Sequence, residues 1–541
     1  MTTQNPLELE SMAPDQNADG AAASEDIVDS GHPLVQAAPD TTQAYSTSGS
    51  AWVVGYGTAL KWGAALAAFA YLFLYLYIAL SRISYPFAIE WLEDGMAQGV
   101  QRILEGKGIY VAPTVEYIPF IYTPLFYYLG AAAAYFLEMS FFPLRLVSFV
   151  ASLGCFLVIF LHVLRETRSA WAGWIAVGLY AATFQVGGAW FDLARVDSTF
   201  LFFILLAVFM VRFARSQWII LLASVVLCLA FLTKHSAVGV IAALVVGTVF
   251  LNWRHALVLL VSTGVLCAVS CWVLDIMSEG WFTYYIFDAV TGHGWEEHRW
   301  IQFWTVDLAQ KTAILCAVAI VGLFLQLGGS TPRPFFYYGC VTGGIVIMSW
   351  LSRVHVGGYI NVLMPTFAWA AILFGFAIGG VARHWINPLP HQRAALYAAM
   401  SALCVIQFAL LIYDPREQIP TKAHYAMGEY LLDMMADKED ILIPRHSYLP
   451  ALAGKKVYTN KAAYSSLLAD YESPHRQQVT ADLTAKLRDG HFDLIILNER
   501  EYLAGLVNRY YKPISAQFPN VGRSWPLTGY RTRPVQILVP R

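Results

Sequence analysis

The chain has 541 residues, of which 57% are hydrophobic, 15% aromatic and only 13% charged. Soluble globular proteins carry about 25% charged residues. This composition therefore excludes a disordered chain and a soluble multidomain enzyme, and it points to a polytopic membrane protein. The net charge of −2 gives no bulk attraction for nucleic acid, and no such partner is expected. Seven Cys all fall inside apolar runs without metal-ligand spacing, so they read as small apolar residues.

Residues 1–50 hold eight acids and no Lys or Arg. Such a segment buries too little apolar surface to offset its ordering entropy, so a disordered cytoplasmic tail is expected. No basic n-region precedes the first apolar run, and no cleaved signal peptide is expected. From there the apolar stretches predict eleven spanning helices, near 58–80, 144–164, 170–190, 198–214, 217–233, 237–253, 255–275, 308–327, 335–351, 358–381 and 394–413. The segment 120–137 carries Pro124 and a cluster of Tyr and Phe at its start. It reads as a helix lying in the outer interface rather than a span.

Charge sets the orientation. With the N-terminus inside, the inner turns hold nine Lys or Arg against one acid, a net +8, and the outer loops hold fourteen acids against nine bases, a net −5. That is the positive-inside asymmetry. After residue 413 the character changes: 414–541 hold 17 of the 35 basic residues. Apolar runs at 440–446, 492–499 and 535–540, separated by helical or loop sequence, predict a small soluble α/β domain on the outer side.

Ionisable groups beside hydrocarbon are costly and are functional candidates by default. In the first outer loop, EWLEDG places Glu90, Glu93 and Asp94 at i, i+3 and i+4, one face of a helix. Crowded carboxylates raise one another's pKa, which suits a general base or a divalent-cation site. The bland alternative is a helix N-terminus whose acids offset the dipole. AWFDLARVDSTF then brings Asp192, Arg195 and Asp197 to the outer edge, with Asp197 also readable as part of a helix cap. FLTKHS adds Lys234 and His235 at the same level. Arg195 and Lys234 together would make an anion site, although either could simply anchor a helix end.

The loop 276–306 is aromatic and carries His293, Glu296, Glu297, His298 and Arg299. Its HxxEEH spacing is a weak metal signal, and an interfacial helix closing over a lipid substrate is the preferred reading. Finally, SRVHVGGYIN sets Arg353, His355, Tyr359 and Asn361 at the outer end of the tenth span. Carboxylates and cations thus gather on one membrane face, as transfer from a lipid-linked anionic donor would require.

The ordered series EDG, YTPLFYYL, ARVDS, FLTKHS and R-x-H-x-x-x-Y-x-x-x-x-x-P resembles the membrane-embedded GT-C glycosyltransferases. Within them it is most similar to family-39-like bacterial enzymes related to protein O-mannosyltransferases and lipid A aminoarabinose transferases. The resemblance covers about 58–413. It implies a GT-C-like bundle of about eleven spanning helices, with interfacial helices in the outer loops, in a bacterial inner membrane. The domains would be a tail at 1–50, a catalytic membrane domain at 51–413 and an α/β domain at 414–541. It also implies a polyprenyl-phosphate-linked sugar as donor and an acidic pair in the first outer loop, one member acting as base. Here that pair is Glu93-Asp94, in the reverse of the usual order, with Glu90 beside it. Basic residues matching the donor-phosphate positions are Arg195, Lys234 and Arg353.

The reaction implied is an inverting transfer to an outer-face acceptor, which could be a glycan, a lipid or a protein. A divalent cation, Mg or Mn, is a candidate cofactor that the sequence does not demand. A transporter or flippase of lipid-linked saccharides would place charges at mid-span, and a non-catalytic scaffold would leave the acidic pair dispensable.

Overall fold

In a computed structural model of the chain the described residues are 41–292, 294–384, 390–469, 473–499, 501, 503–520 and 525–541. Most of the expected acidic tail, and His293, lie outside them. Contacts divide the chain into Met1–Gly49 and Ser50–Arg541, and the helical bundle and the C-terminal sheet both belong to the second unit.

The protein is a multi-pass helical membrane protein. All eleven stretches expected to span are helical: α1 (Thr41–Arg82), α4 (Phe141–Thr167), α5 (Ala170–Ala182), α6 (Val196–Arg212), α7 (Gln217–Thr233), α8 (Ala237–Leu251), α9 (Trp253–Met277), α10 (Ala309–Phe324), α11 (Arg333–Val354), α12 (Met364–His384) and α13 (Pro390–Leu410). Among the described residues six helices are individually long and apolar enough to cross a membrane, or seven if one bent pair counts as a span. Others are shorter; α7 and α8 have 17 and 15 residues, about 22–26 Å of helix against a hydrocarbon core of about 30 Å.

The expected span 170–190 is cut short. Helix α5 stops at Ala182, and 183–195 form a buried irregular turn. Thr183 caps the end by donating to the Tyr180 carbonyl, and Gly188 takes a positive φ of 88° that only Gly adopts freely.

In the first loop, α2 (Glu93–Leu104) and α3 (Leu125–Leu137) pack against each other. At 13 residues, the same length as α5, α3 is about 20 Å long. Close approach explains two glycines of α2: a Cβ on Gly95 would overlap the Phe120 ring, and one on Gly99 the Tyr127 ring.

The C-terminal region holds α14 (Lys422–Met435), α15 (Pro474–Arg488) and a four-stranded sheet of order β1-β2-β4-β3. The strands are β1 (Ile441–Leu442), β2 (Leu494–Asn498), β3 (Tyr511–Ile514) and β4 (Pro534–Pro540). β1 and β2 are parallel, and β4 runs antiparallel to both β2 and β3. The three apolar runs of the sequence supply β1, β2 and β4; β3, which carries Pro513 and three exposed residues, has no such signal.

Strand alternation divides the sheet between two cores. Ile441, Leu494, Ile496 and Ile537 join the core that runs into the helical bundle. Leu442, Ile495, Leu497 and Leu538 join a second core with Met96, Val100, Tyr127 and Leu144 of the first loop and α4. The sheet thereby shares a hydrophobic core with α2.

Candidate functional site

The first loop is shaped by two arginines at helix ends. Arg82 closes α1 and grips Asp192 with both forks, Nε to Oδ2 at 2.7 Å and Nη2 to Oδ1 at 2.6 Å, while also donating to the Ala189 and Gln418 carbonyls. Arg145, in the first turns of α4, donates to the carbonyls of Tyr85 (2.6 Å) and Phe87 (2.7 Å). It also holds Glu93, Nε to Oε1 at 3.0 Å and Nη2 to Oε2 at 2.8 Å. All four charged side chains are fully buried. Charges so placed persist only when paired and hydrogen-bonded.

Glu93 has no free lone pair. Besides Arg145, it accepts from the backbone N–H of Ala194 and of Ile89, both at 2.7 Å. Burial alone would raise its pKa, but the Arg145 charge and these hydrogen bonds hold it below the usual carboxylate range. The expectation that Glu93 serves as the base therefore meets a carboxylate whose acceptor capacity is used up by its own fold. Nor do the three acids share one helical face: α2 begins at Glu93, and Glu90 sits in the turn before it.

Glu90 and Asp94 are different. Both are buried, and each keeps one carboxylate oxygen, Oε1 of Glu90 and Oδ2 of Asp94, with no hydrogen-bond partner among the described residues. Oε2 of Glu90 accepts from the Leu92 N–H (3.1 Å) and from Arg195 Nη1 (3.3 Å). Burial pushes Glu90 up to about 8, with Arg195 opposing the shift and Glu93 adding to it. Burial likewise lifts Asp94 well above its ordinary value, reinforced by the charges of Glu93 and Glu90.

Arg195 links this loop to the bundle. It precedes α6, contacts Asp197 Oδ2 at 3.8 Å and donates to the Tyr122 hydroxyl at 2.9 Å. Its guanidinium lies over the Trp190 ring (4.8 Å), which in turn stacks on Tyr359 (5.1 Å). Lys234, without an acid near it in sequence, is paired in space: Nζ donates to Asp197 Oδ1 at 3.1 Å, and Asn361 Nδ2 donates to the same oxygen at 2.8 Å. His235 is shifted down to about 4 by burial, by Lys234 and by His355, so its ring is neutral at pH 7. Sequence reasoning thus names Glu90, Arg195, Asp197, Lys234, Tyr359 and Asn361, and the fold joins them into one chain of contacts.

Arg353 is held elsewhere, by Asp307 (2.8 Å) and the Gly358 carbonyl (3.0 Å). His298 lies in an exposed pair with Glu296 at 3.6 Å. Among the described residues no group of three or more His, Cys, Asp or Glu is placed to hold a metal ion. The carboxylates of α2 do not offer one, since Glu93 is consumed by Arg145. The aromatic loop after α9 does fold as short helical turns (Trp281–Thr283, Tyr284–Asp288, Arg299–Gln302), tied to the α11 end where Trp295 pairs with His355.

Beside Lys234 opens a small cleft of about 20 Å³. Asp197, Lys234, Asn361 and three serines line it together with Phe200, Ile204, Val240 and Ile345 of α6, α8 and α11. Sequence reasoning missed Arg82, Arg145, Tyr122 and Asp307 as partners. For the two arginines the signal was present: each is a cation at the end of an apolar run.

No protein-family model matches this chain, and no curated protein matches it. Solved structures do. ArnT from Cupriavidus metallidurans bound to undecaprenyl phosphate aligns at 12% identity over 87% of this chain and 97% of its own, with a TM-score of 0.56. Its apo form gives 12%, 87%, 98% and 0.54. The Archaeoglobus fulgidus oligosaccharyltransferase tethered with an acceptor peptide aligns at 13% identity over 87% of this chain and 76% of its own, with a TM-score of 0.47.

The class is therefore a multi-pass membrane protein with the GT-C fold, the fold of the ArnT structures. At these identities the likeness speaks for the fold; chemistry has to come from the residues.

Proposed function

We propose that this protein is an inverting glycosyltransferase that moves a sugar from a polyprenyl-phosphate donor to a hydroxyl acceptor at the outer face of a bacterial inner membrane. The observation that carries the reading is the lining of the cleft: Lys234 stands beside apolar residues of α6, α8 and α11, a cation for a phosphate next to an apolar wall for an isoprenoid tail.

In this reading Glu90 is the base and Asp94 the second candidate, since each retains an unpartnered oxygen. Glu90 Oε1 takes the proton of the acceptor hydroxyl, and that oxygen attacks the anomeric carbon. The bond from the anomeric carbon to the phosphate oxygen breaks, and polyprenyl phosphate leaves with the electron pair. Lys234 and Arg195 stabilise the departing charge. Arg353, bound to Asp307, supports the turn that carries Tyr359. The departing phosphate needs no general acid, and no step runs through a cation. The N-terminus lies inside, and 414–541 stand on the outer face as the region that completes the site.

The test is binding first. Purified protein is titrated with undecaprenyl phosphate and followed by native mass spectrometry, with phosphatidylglycerol as the nonspecific reference. One bound lipid per chain, weakened in Lys234→Ala, is expected. Equal occupancy by the two lipids would overturn the donor assignment. Transfer of label from a polyprenyl-phosphate sugar, lost in Glu90→Gln, separates an enzyme from a transporter or a scaffold.

A further inference from the structure

The segment Trp525–Tyr530 lies across Glu90. A Cβ built on Gly529 would come within 2.7 Å of Glu90 Cγ and 2.8 Å of Oε1, so only a glycine lets the backbone pass this close. Gly529 also takes a φ of 78°, which favours glycine independently.

Three latches hold the segment to three parts of the bundle. The Thr528 N–H donates to the Ile89 carbonyl at 3.0 Å. The Thr528 hydroxyl donates to the Gly188 carbonyl at 2.7 Å. The Tyr359 hydroxyl donates to the Gly529 carbonyl at 3.1 Å. Behind them Trp525 packs on His446 with ring centroids 4.2 Å apart. The result is a carboxylate with no exposed surface and an oxygen that no described residue satisfies. No acceptor hydroxyl can reach this oxygen while the strap lies in place.

We propose that Trp525–Tyr530 is the acceptor-side gate of the site: it seals Glu90 from water when no acceptor is present and lifts at its hydroxyl latches to admit one. The donor cleft is lined from α6, α8, α11 and the turn before α12, and no residue of the strap takes part in it. A closed gate over a lipid-linked sugar also suppresses its hydrolysis, since water is excluded until an acceptor displaces the strap. The proposal rests on Glu90 as the base.

The experiment reads access to Glu90 without catalysis. A hydrophobic carbodiimide, which attacks protonated carboxyls, is added to the full-length protein in detergent without donor, and the Glu90 adduct is followed by mass spectrometry over time. Thr528→Val and Tyr359→Phe each remove one latch and should speed labelling roughly fivefold, and the double variant more. Gly529→Ala, which forces the strap off Glu90, should act in the same direction and serves if a latch variant misfolds. Labelling at the wild-type rate in folded variants would overturn the gate. Faster labelling together with full transfer by Glu90→Gln would keep the gate and overturn the base assignment, so the two failures are distinguishable.

Discussion

Replacing Glu93 by Gln separates a structural carboxylate from a catalytic one. Each Glu93 oxygen accepts from one Arg145 nitrogen and one backbone N–H at 3.0 Å or less. In Glu93→Gln, whichever position the amide nitrogen takes, two donors lose their acceptor and meet another donor. The Arg145 guanidinium, fully buried, is then left without its counter-charge. Breaking a buried pair from one side costs about 3–5 kcal/mol, a large part of the roughly 5–15 kcal/mol that holds a domain together.

Arg145 also organises the Tyr85 and Phe87 carbonyls, so the damage spreads through the loop that carries Glu90. Glu90→Gln, by contrast, can keep its amide oxygen toward Arg195 and the Leu92 N–H and put its nitrogen at the unpartnered position, while Arg195 retains Asp197 as counter-charge. Its stability effect should stay within about 1 kcal/mol, while turnover falls by roughly 10² or more. Thermal unfolding in detergent, followed by tryptophan fluorescence, is paired with a transfer assay on the same preparations. The expected pattern is a depressed midpoint for Glu93→Gln and a wild-type midpoint with lost turnover for Glu90→Gln. A Glu93→Gln protein that melts like wild type and has lost turnover would refute the reasoning and return the base to Glu93.

Three further outcomes follow from the geometry. Arg195→Ala should weaken polyprenyl-phosphate binding by about 1.5–3 kcal/mol, and Arg195→Lys by less, because a planar fork is replaced by a point charge; isothermal titration with the lipid checks this, and equal affinity in all three proteins would make Arg195 an anchor. Glu90 works as a base only when deprotonated and sits near 8, so kcat/KM should climb about tenfold per pH unit up to about pH 8 and then level; a profile flat from about pH 6 would exclude Glu90 as the titrating group. For orientation, a cysteine at exposed Asn508 should react with an impermeant reagent in intact cells and one at exposed Ser330 should not. Ser447, an attractive position from sequence alone, is 2% exposed beneath the first loop and would mislead.

The sequence by itself determined the environment. Apolar runs leave a chain no choice but helix in a bilayer, because each backbone N–H and C=O must find its partner within the segment. Hence the positions of eleven helices, the short α3 and three of the four strands were legible. So was the gathering of ionisable residues at one end of the bundle, since hydrocarbon expels charge to helix ends. What spacing could not say is which charge faces which. Glu93 and Asp94 are neighbours in the chain, yet one points into Arg145 and the other keeps an open oxygen. Lys234 has no acid nearby in sequence and finds Asp197 37 residues away. The strap that covers Glu90 comes from more than 400 residues downstream. Hydrophobic burial depends on composition and period, which a sequence carries locally. The pairing of buried charges depends on distances of a few ångströms between remote segments, and only the packing of α1, α4, α6 and the C-terminal sheet fixes those.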